Sequence, residues 1–217
     1  NTMLIFITKM FPVKYEIQTW HIFNSLISVG TIFGIYKITC ELFNKYIGKI
    51  VFLFSFFNPI FFGHMAINSK DTIIAFANIW CTYLIIKYLK NQNHNKKRNR
   101  YILLLGLTVG LGLGTRVAFL ATLIPVTIFF ILDIFFIKKI KNIEFSNKKL
   151  FFDLFKIFII SYFVMVSCWA NTHANIIILP FKIFYESLSL FNFGSPIGLL
   201  NGNLYYTADP PYFYFLI

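Results

Sequence analysis

Long apolar runs separated by short polar gaps dominate this chain. Several runs reach about 20 residues, the length of helix that crosses about 30 Å of hydrocarbon at 1.5 Å per residue. Apolar and polar positions do not alternate along these runs, which excludes the strands of a membrane barrel. The pattern predicts an all-α integral membrane protein with about six transmembrane helices, at residues 20–40, 49–62, 72–90, 101–115, 117–137 and 151–170.

The apolar stretch from Tyr101 to Ile137 is too long for one transmembrane helix. A single helix over this range would extend about 55 Å, whereas the hydrocarbon core is about 30 Å thick. We therefore predict a tight hairpin of two short helices with Thr115 and Arg116 in its turn. Small residues that let membrane helices pack closely precede the turn: Gly106, Gly110, Gly112 and Gly114.

A different pattern follows Ala170. Pro180 suits the first turn of a helix, and Phe181, Phe184 and Leu188 fall on one face of it. An apolar face of this kind, with polar residues elsewhere around the helix, predicts a helix that lies in the membrane interface.

Turn-forming residues mark the stretch after this helix. They predict an ordered outer loop over residues 192–211. The sequence thus predicts a partial transmembrane domain over residues 1–170 and a non-cytoplasmic segment over 171–217. The chain starts without a methionine and stops inside an aromatic run, so we expect it to be truncated at both ends.

Charge gives the predicted helices an orientation. The chain has 20 Lys and Arg residues against 8 Asp and Glu, and only 13% of its residues are charged, compared with about 25% in soluble domains. Fifteen of the basic residues fall in three alternate gaps, which the positive-inside rule places in the cytoplasm. No aromatic and basic platform accompanies these runs, so nucleic acid is not a predicted partner.

Charged side chains beside the apolar runs are the candidates for chemistry, because a charge at the centre of a membrane helix costs about 3 kcal/mol on insertion scales. Asp71 could bind a sugar hydroxyl, coordinate a divalent cation or accept a proton from an attacking hydroxyl, or it could favour a helix dipole. Lys70 and Arg116 could together neutralise a phosphate, or both could snorkel to lipid headgroups.

Further polar residues lie at the same predicted outer side. His64 could donate to a phosphate or pyrophosphate oxygen, or it could be a satisfied structural residue. Glu16 precedes His21 and Asn24, which share one helical face with nearby serines. For these three residues the sequence favours interhelical hydrogen bonding over direct chemistry.

These residues together resemble the polyprenyl-phosphate-sugar-dependent GT-C glycosyltransferases, which include bacterial lipid A sugar transferases and protein O-mannosyltransferases. One bacterial branch typically reads Ser-Pro-Arg-x-Phe-Gly-His and then Asn-x-Lys-Asp in an outer loop. Residues 58–64 here read Asn-Pro-Ile-Phe-Phe-Gly-His, and residues 68–71 read Asn-Ser-Lys-Asp. A glycine-rich helix that ends in Thr-Arg corresponds to residues 110–116. The start of the chain and its late outer loop are also similar to this branch.

The resemblance implies transfer of a hexosyl or pentosyl group from a polyprenyl-phosphate carrier to a hydroxyl of a lipid, glycan or protein. It implies a bacterial inner membrane location, with an active site that faces the periplasm or exterior. Asp71 would orient the substrate or hold a metal, while the main catalytic acid would lie in an outer loop before Asn1. The implied substrate-binding residues are His64, Asn68, Lys70, Arg116, Glu16, His21, Tyr205 and Tyr206.

Two other classes of protein remain open from the sequence. A transporter would use the same charges to line a pathway, and would need polar groups that continue to the cytoplasmic side. A non-catalytic membrane scaffold would keep the fold without the chemistry. The sequence indicates no certain cofactor and leaves a divalent cation open.

Overall fold

The computed structural model describes residues 13–137, 147–169, 172–189, 197–200 and 203–206. A short 3-10 turn at Val13–Tyr15 comes first, and a π-helical turn at Asp133–Ile137 extends the sixth helix. The helices are α1 (Glu16–Leu42), α2 (Lys45–Phe56), α3 (Pro59–His64), α4 (Ser69–Lys90), α5 (Asn95–Thr115), α6 (Phe119–Leu132), α7 (Asn147–Cys168) and α8 (Ile178–Ser189), and the strands are β1 (Ile197–Leu200) and β2 (Asn203–Tyr206).

The helices confirm an all-α integral membrane protein. Four described segments are long and apolar enough to cross a membrane: Glu16–Leu42, Lys70–Lys90, Phe119–Phe136 and Lys148–Cys168. Helix α5 has 21 residues, but its first turns are basic, so it falls short on composition. Helix α2 has 12 residues and extends about 18 Å. The described helices thus include fewer complete spans than the six predicted.

The prediction of one helix over residues 49–62 is wrong, because the chain breaks before Pro59. A residue that precedes proline is disfavoured in the α conformation, and Asn58 is extended, with φ −65° and ψ 117°. Its side-chain Oδ1 accepts a hydrogen bond from the Phe61 amide at 2.9 Å, which caps α3. Helix α2 therefore ends at Phe56, and a separate short helix leads toward the next span.

The predicted hairpin after Tyr101 is confirmed, with its turn between α5 and α6. Arg116 leaves the helical conformation and its amide donates to the Gly112 carbonyl at 3.1 Å. Helix α5 begins at Asn95, six residues before the predicted start, because its basic first turns are helical as well. The start of α4 and the end of α5 share one end of the bundle, which we call the Asp71 end. The opposite end, with Lys87, Lys90 and Arg98, is the basic end.

Three glycines of α5 form its contact with α7. A side chain on any of them would collide with α7: added Cβ atoms on Gly106, Gly110 and Gly114 would lie 2.6, 2.6 and 2.7 Å from the Cβ atoms of Ile160, Val164 and Cys168. Real Cβ atoms essentially never come this close, so the helices can pack at this distance only because these residues are glycines. The close packing predicted from the glycine spacing is confirmed, with α7 as the partner.

A buried ionic cluster joins three helices at the basic end. The carboxylate of Asp153 in α7, 2% exposed, accepts a hydrogen bond from the Tyr88 hydroxyl of α4 at 2.8 Å. The Arg98 guanidinium of α5 lies 3.4 Å from the same oxygen. Beside them, Leu84, Ile102, Leu105, Ile134 and Leu150 form an apolar core. The buried carboxylate of Asp153 is therefore paired with a cation and hydrogen-bonded inside the bundle.

The chain divides into two compact units, residues 1–174 and 175–217. The second unit contains α8, which confirms the helix predicted around Pro180, and an antiparallel pair of strands in which Ile197 faces Tyr206. The strands are absent from the all-α prediction, although the Asn201-Gly202 pair between them is a strong hairpin signal. The other residues of the predicted outer loop lie outside the described part. The assignment of 1–170 to the membrane and 171–217 to the outside stays a prediction.

The glycine contact predicts a specific sensitivity to one methyl group. We expect Gly110→Ala to destabilise the protein by about 1–3 kcal/mol through overpacking against Val164. Gly63→Ala is the matched control, because a Cβ at Gly63 meets no atom within 4 Å. Thermal unfolding of the purified protein in detergent would measure both. Equal unfolding temperatures for the two variants would contradict this account of the contact.

The buried ionic cluster predicts a strong but repairable loss of stability. Arg98→Met leaves the buried Asp153 carboxylate without its counter-charge, so we expect a loss of about 3 kcal/mol. The double variant Arg98→Met/Asp153→Leu removes both charges and should recover at least half of that loss. Detergent unfolding curves of the single and double variants test this, and a double variant less stable than Arg98→Met would refute it.

Candidate functional site

A cleft of about 610 Å³ opens at the Asp71 end between α1, α2–α3 and α4. One part of its lining is apolar and comes from Ile32, Ile35, Ile60, Phe61 and Ala75. The other part is polar and comes from Ser55, Asn58, His64, Asn68, Asp71 and Thr72. The break between α2 and α3 brings Asn58 and His64 to this lining. The cleft can therefore receive a ligand with both an apolar and a polar portion.

Asn68 fixes Asp71 at the start of α4. The Asn68 Oδ1 atom accepts from the Asp71 amide at 3.3 Å, and the Asn68 Nδ2 atom donates to Asp71 Oδ2 at 2.8 Å. This reciprocal arrangement resembles a capping box, and a carboxylate in the first turn interacts favourably with the helix dipole. Asp71 thus has a structural role through its Oδ2 atom, while its other carboxylate oxygen, Oδ1, faces Arg116.

Arg116 reaches Asp71 from the end of α5. Its Nη1 atom lies 3.5 Å from Asp71 Oδ1, and the side chains of Arg116 and Asp71 are 50% and 60% exposed. Exposed ion pairs of this kind contribute about 0–1 kcal/mol. The pair therefore holds both charges at the site, yet a charged ligand can displace either partner at little cost.

A buried hydrogen-bond network of Asn24, Ser28, Met65 and Thr72 ties α1 to the chain between α3 and α4. Asn24 is fully buried; its Nδ2 atom donates to the Met65 carbonyl at 2.9 Å, and its Oδ1 atom lies 2.5 Å from the Thr72 hydroxyl. The Ser28 hydroxyl reaches the same Met65 carbonyl at 3.1 Å. Because His64 and Asp71 flank this segment, the network sets the position of both.

His21 and Glu16 lie beside this network on α1. His21 Nδ1 donates to the Ala66 carbonyl in the segment between α3 and α4 at 2.8 Å. The interhelical hydrogen bonding that the sequence favoured is found for Asn24, whose Oδ1 accepts from the Thr72 hydroxyl of α4. Glu16 lies in the first turn of α1 at the Asp71 end. A substrate-binding role for Glu16 and His21 stays a prediction.

The remaining predicted site residues take different positions. His64 lines the cleft from the end of α3. Lys70 is exposed in the first turn of α4, outside the cleft lining, and forms no ion pair with any residue that the structure describes. Tyr205 and Tyr206 belong to β2 in the second unit, and their substrate-binding role stays a prediction.

Sequence reasoning did not single out three polar residues of the cleft, Ser55, Asn58 and Thr72. A signal was present for two of them: Asn58 directly precedes Pro59, and Thr72 directly follows Asp71. These residues line one cleft because the chain breaks between α2 and α3, and a hydropathy pattern does not detect this break.

No group of three or more His, Cys, Asp or Glu side chains that could hold a metal ion occurs among the described residues. Asp71 is the carboxylate among the described residues that line the cleft. A cation bound there would therefore need most of its ligands from the substrate or from other parts of the protein.

Comparison with known proteins identifies one family. The family model of the dolichyl-phosphate-mannose-protein mannosyltransferases matches residues 3–169. This range includes every described residue of the cleft and Arg116. Neither the curated proteins nor the solved structures that were compared give a match. The family match confirms the resemblance to the GT-C glycosyltransferases. The chain belongs to the dolichyl-phosphate-mannose-protein mannosyltransferase family of membrane glycosyltransferases.

Proposed function

We propose that this protein transfers a hexosyl or pentosyl group from a polyprenyl-phosphate carrier to a hydroxyl group of a lipid, glycan or protein. The observation that carries the proposal is the Asp71–Arg116 pair beside a partly apolar cleft between membrane helices. The family name specifies a dolichyl-phosphate sugar as donor and a protein as acceptor, which supports an isoprenoid phosphate as the donor here.

The two kinds of cleft lining match the two parts of such a donor. Ile32, Ile35 and Ala75 offer an apolar surface for the first isoprene units. The phosphate and the sugar are polar and would lie near His64 and Asp71, at the end of the bundle where charged side chains are exposed. A soluble sugar nucleotide would make no use of the apolar lining.

Arg116 and Lys70 stabilise the leaving group in this proposal. The bond between the anomeric carbon and the phosphate oxygen breaks while the acceptor oxygen bonds to the opposite face of that carbon, so negative charge grows on the lipid phosphate. A planar guanidinium can bind two phosphate oxygens at once, and Lys adds a point charge. Charge stabilisation of this type often supplies the largest part of catalysis.

Asp71 gains a role when the phosphate arrives. Its exposed pair with Arg116 is weak, so a phosphate that takes the guanidinium frees the carboxylate. Asp71 can then orient a hydroxyl of the sugar or of the acceptor, while Asn68 keeps it in place. The proton of the acceptor hydroxyl passes to a carboxylate general base other than Asp71, and a divalent cation could assist phosphate binding.

The Asp71 end faces the periplasm or exterior of a bacterial inner membrane in this proposal. The support is the distribution of charge: Lys87, Lys90 and Arg98 lie at the opposite end, where the first turns of α5 and α7 add further lysines, and basic loops stay in the cytoplasm. Tyr205 and Tyr206 would bind the substrate in this proposal.

A transporter is less consistent with the interior of the bundle. It needs polar groups that continue from the cleft to the basic end. Along α4, the buried residues that follow Thr72 are Ala77, Cys81 and Leu84 before Tyr88 is reached. Phe119 packs against Ala77 and Cys81 from α6. The described part of this helix thus offers an apolar barrier rather than a pathway.

Asp71→Asn tests the role of the carboxylate. The amide can still accept from Asn68, so the cap of α4 should survive, whereas the loss of a charged hydrogen-bond partner should lower transfer about 10- to 100-fold. Transfer from a labelled polyprenyl-phosphate sugar would be measured in membranes, beside the unfolding temperature of the purified variant. Full activity at unchanged stability would remove Asp71 from the site.

Arg116 variants test charge against geometry. We expect Arg116→Gln to lower kcat about 100-fold or more, and Arg116→Lys to retain part of it, because Lys keeps the charge but loses the bidentate contact. Arg100→Gln, at the other end of the same helix, is the control and should behave as the natural protein. If both Arg116 variants transfer sugar normally, the non-catalytic scaffold or another phosphate site becomes the better interpretation.

A further inference from the structure

A second, smaller cleft lies at the basic end, between α5 and α7. It encloses about 210 Å³ and is lined by Asn99, Ile102, Leu103, Lys156, Ile159 and Ile160. None of these residues belongs to the Asp71 cleft. We call it the α5–α7 groove.

Lys156 is an unusual residue for this groove. It lies on α7 about 12 Å beyond Lys148 along the helix axis, among apolar residues that are exposed on the outside of the bundle. It forms no ion pair with any residue that the structure describes, and the nearby Asp153 is already bound to Arg98 and Tyr88. An ionisable side chain inside a span needs a partner that explains it.

The neighbouring helix supplies a polar group and an apolar wall. Asn99 on α5 lies one helical turn closer to the basic end than Ile102, so its amide and the Lys156 ammonium line the same groove. Leu103 and Ile159, which are 50% and 38% exposed, continue the lining with apolar surface. The groove therefore combines two hydrogen-bond donors with an apolar wall.

The shape of this groove is set by the glycine contact. Gly106 packs directly on Ile160 and Ile157, just beyond Leu103 on α5, which fixes the spacing of α5 and α7. A groove between two helices in fixed contact is preformed, so a ligand that enters it loses little affinity to reorganisation of the protein.

We propose that the α5–α7 groove binds one anionic phospholipid of the membrane. Lys156 and Asn99 bind its phosphate, and an acyl chain lies along Leu103, Ile159 and Ile160. Basic pockets between membrane helices suit anionic headgroups, and exposed Arg100, Lys148 and Lys149 at the same end add attraction. The proposal does not depend on sugar transfer, because it uses neither the Asp71 cleft nor its charges.

Lipid titration of the purified protein in detergent tests the site. Phosphatidylglycerol should raise the unfolding temperature, while phosphatidylcholine with the same acyl chains should do so much less. Lys156→Gln should weaken the apparent affinity for phosphatidylglycerol about fivefold, the effect expected for one basic residue near a headgroup. Lys49→Gln, an exposed lysine of α2 at the same end, is the matched control and should keep the natural affinity.

The same experiment can overturn the proposal. Equal phosphatidylglycerol affinity in Lys156→Gln and Lys49→Gln would exclude Lys156 as the headgroup ligand. Equal shifts with both lipids would show that charge is not recognised, and a shift with soluble glycerol phosphate alone would show a free phosphate site instead. Native mass spectrometry that counts bound lipids gives a readout independent of stability, and one retained phosphatidylglycerol lost in Lys156→Gln would support the site.

Discussion

The arrangement of the Asp71 end depends on the hydrogen bonds of one buried amide, that of Asn24. Inside a bundle without water, an unpaired amide or hydroxyl costs far more than it does at a surface. Asn24 satisfies both its donor and its acceptor at once, toward the Met65 carbonyl and the Thr72 hydroxyl. Because those partners belong to the segment after α3 and to α4, the spacing of α1, this segment and α4 is specified together. The cleft lies between these elements, so its shape follows from this network.

The acidic side chains at the two ends of the bundle differ in how tightly they are paired. At the basic end, the Asp153 carboxylate is enclosed with Arg98 and Tyr88, and Glu41 is bound by Lys87 and Lys90. These ion pairs and hydrogen bonds join neighbouring helices and stabilise their packing. At the Asp71 end, the pair of Asp71 with Arg116 is exposed and loosely joined. A charged side chain that is held in place but weakly paired can bind a ligand instead of its partner. This is the physical difference between a structural cluster and a candidate site.

Apolar run length located most of the helices, because bilayer thickness fixes the length of a span and charge is excluded from its centre. It failed at residues 49–62, where Ile60 and the following phenylalanines prolong the apolar run although Pro59 interrupts the backbone. Asp71 and Arg116 were found as charges at helix ends, but the sequence joined Arg116 with Lys70 at a shared phosphate, whereas the structure places Asp71 beside Arg116. Adjacent residues point about 100° apart around a helix, and only the packed bundle determines which one faces a neighbour. The Asp153 cluster joins residues that are distant in sequence, so only the packing of the helices against one another reveals it.

The break before Pro59 also explains why a cleft exists at all. If α2 continued straight to residue 62, we expect that it would pack along α1 as Lys45–Phe56 does. Its side chains would then fill the space beside Ile32 and Ile35. Because Asn58 turns the chain and caps α3, the short helix instead carries Ile60, Phe61 and His64 to the far side of that space. The break before Pro59 thus supplies one wall of the cleft and, through Asn58 and His64, part of its polar lining. Most of the rest of the polar lining comes from Asn68, Asp71 and Thr72 at the start of α4, so the cleft depends on the packing of α4 as well as on the break before Pro59.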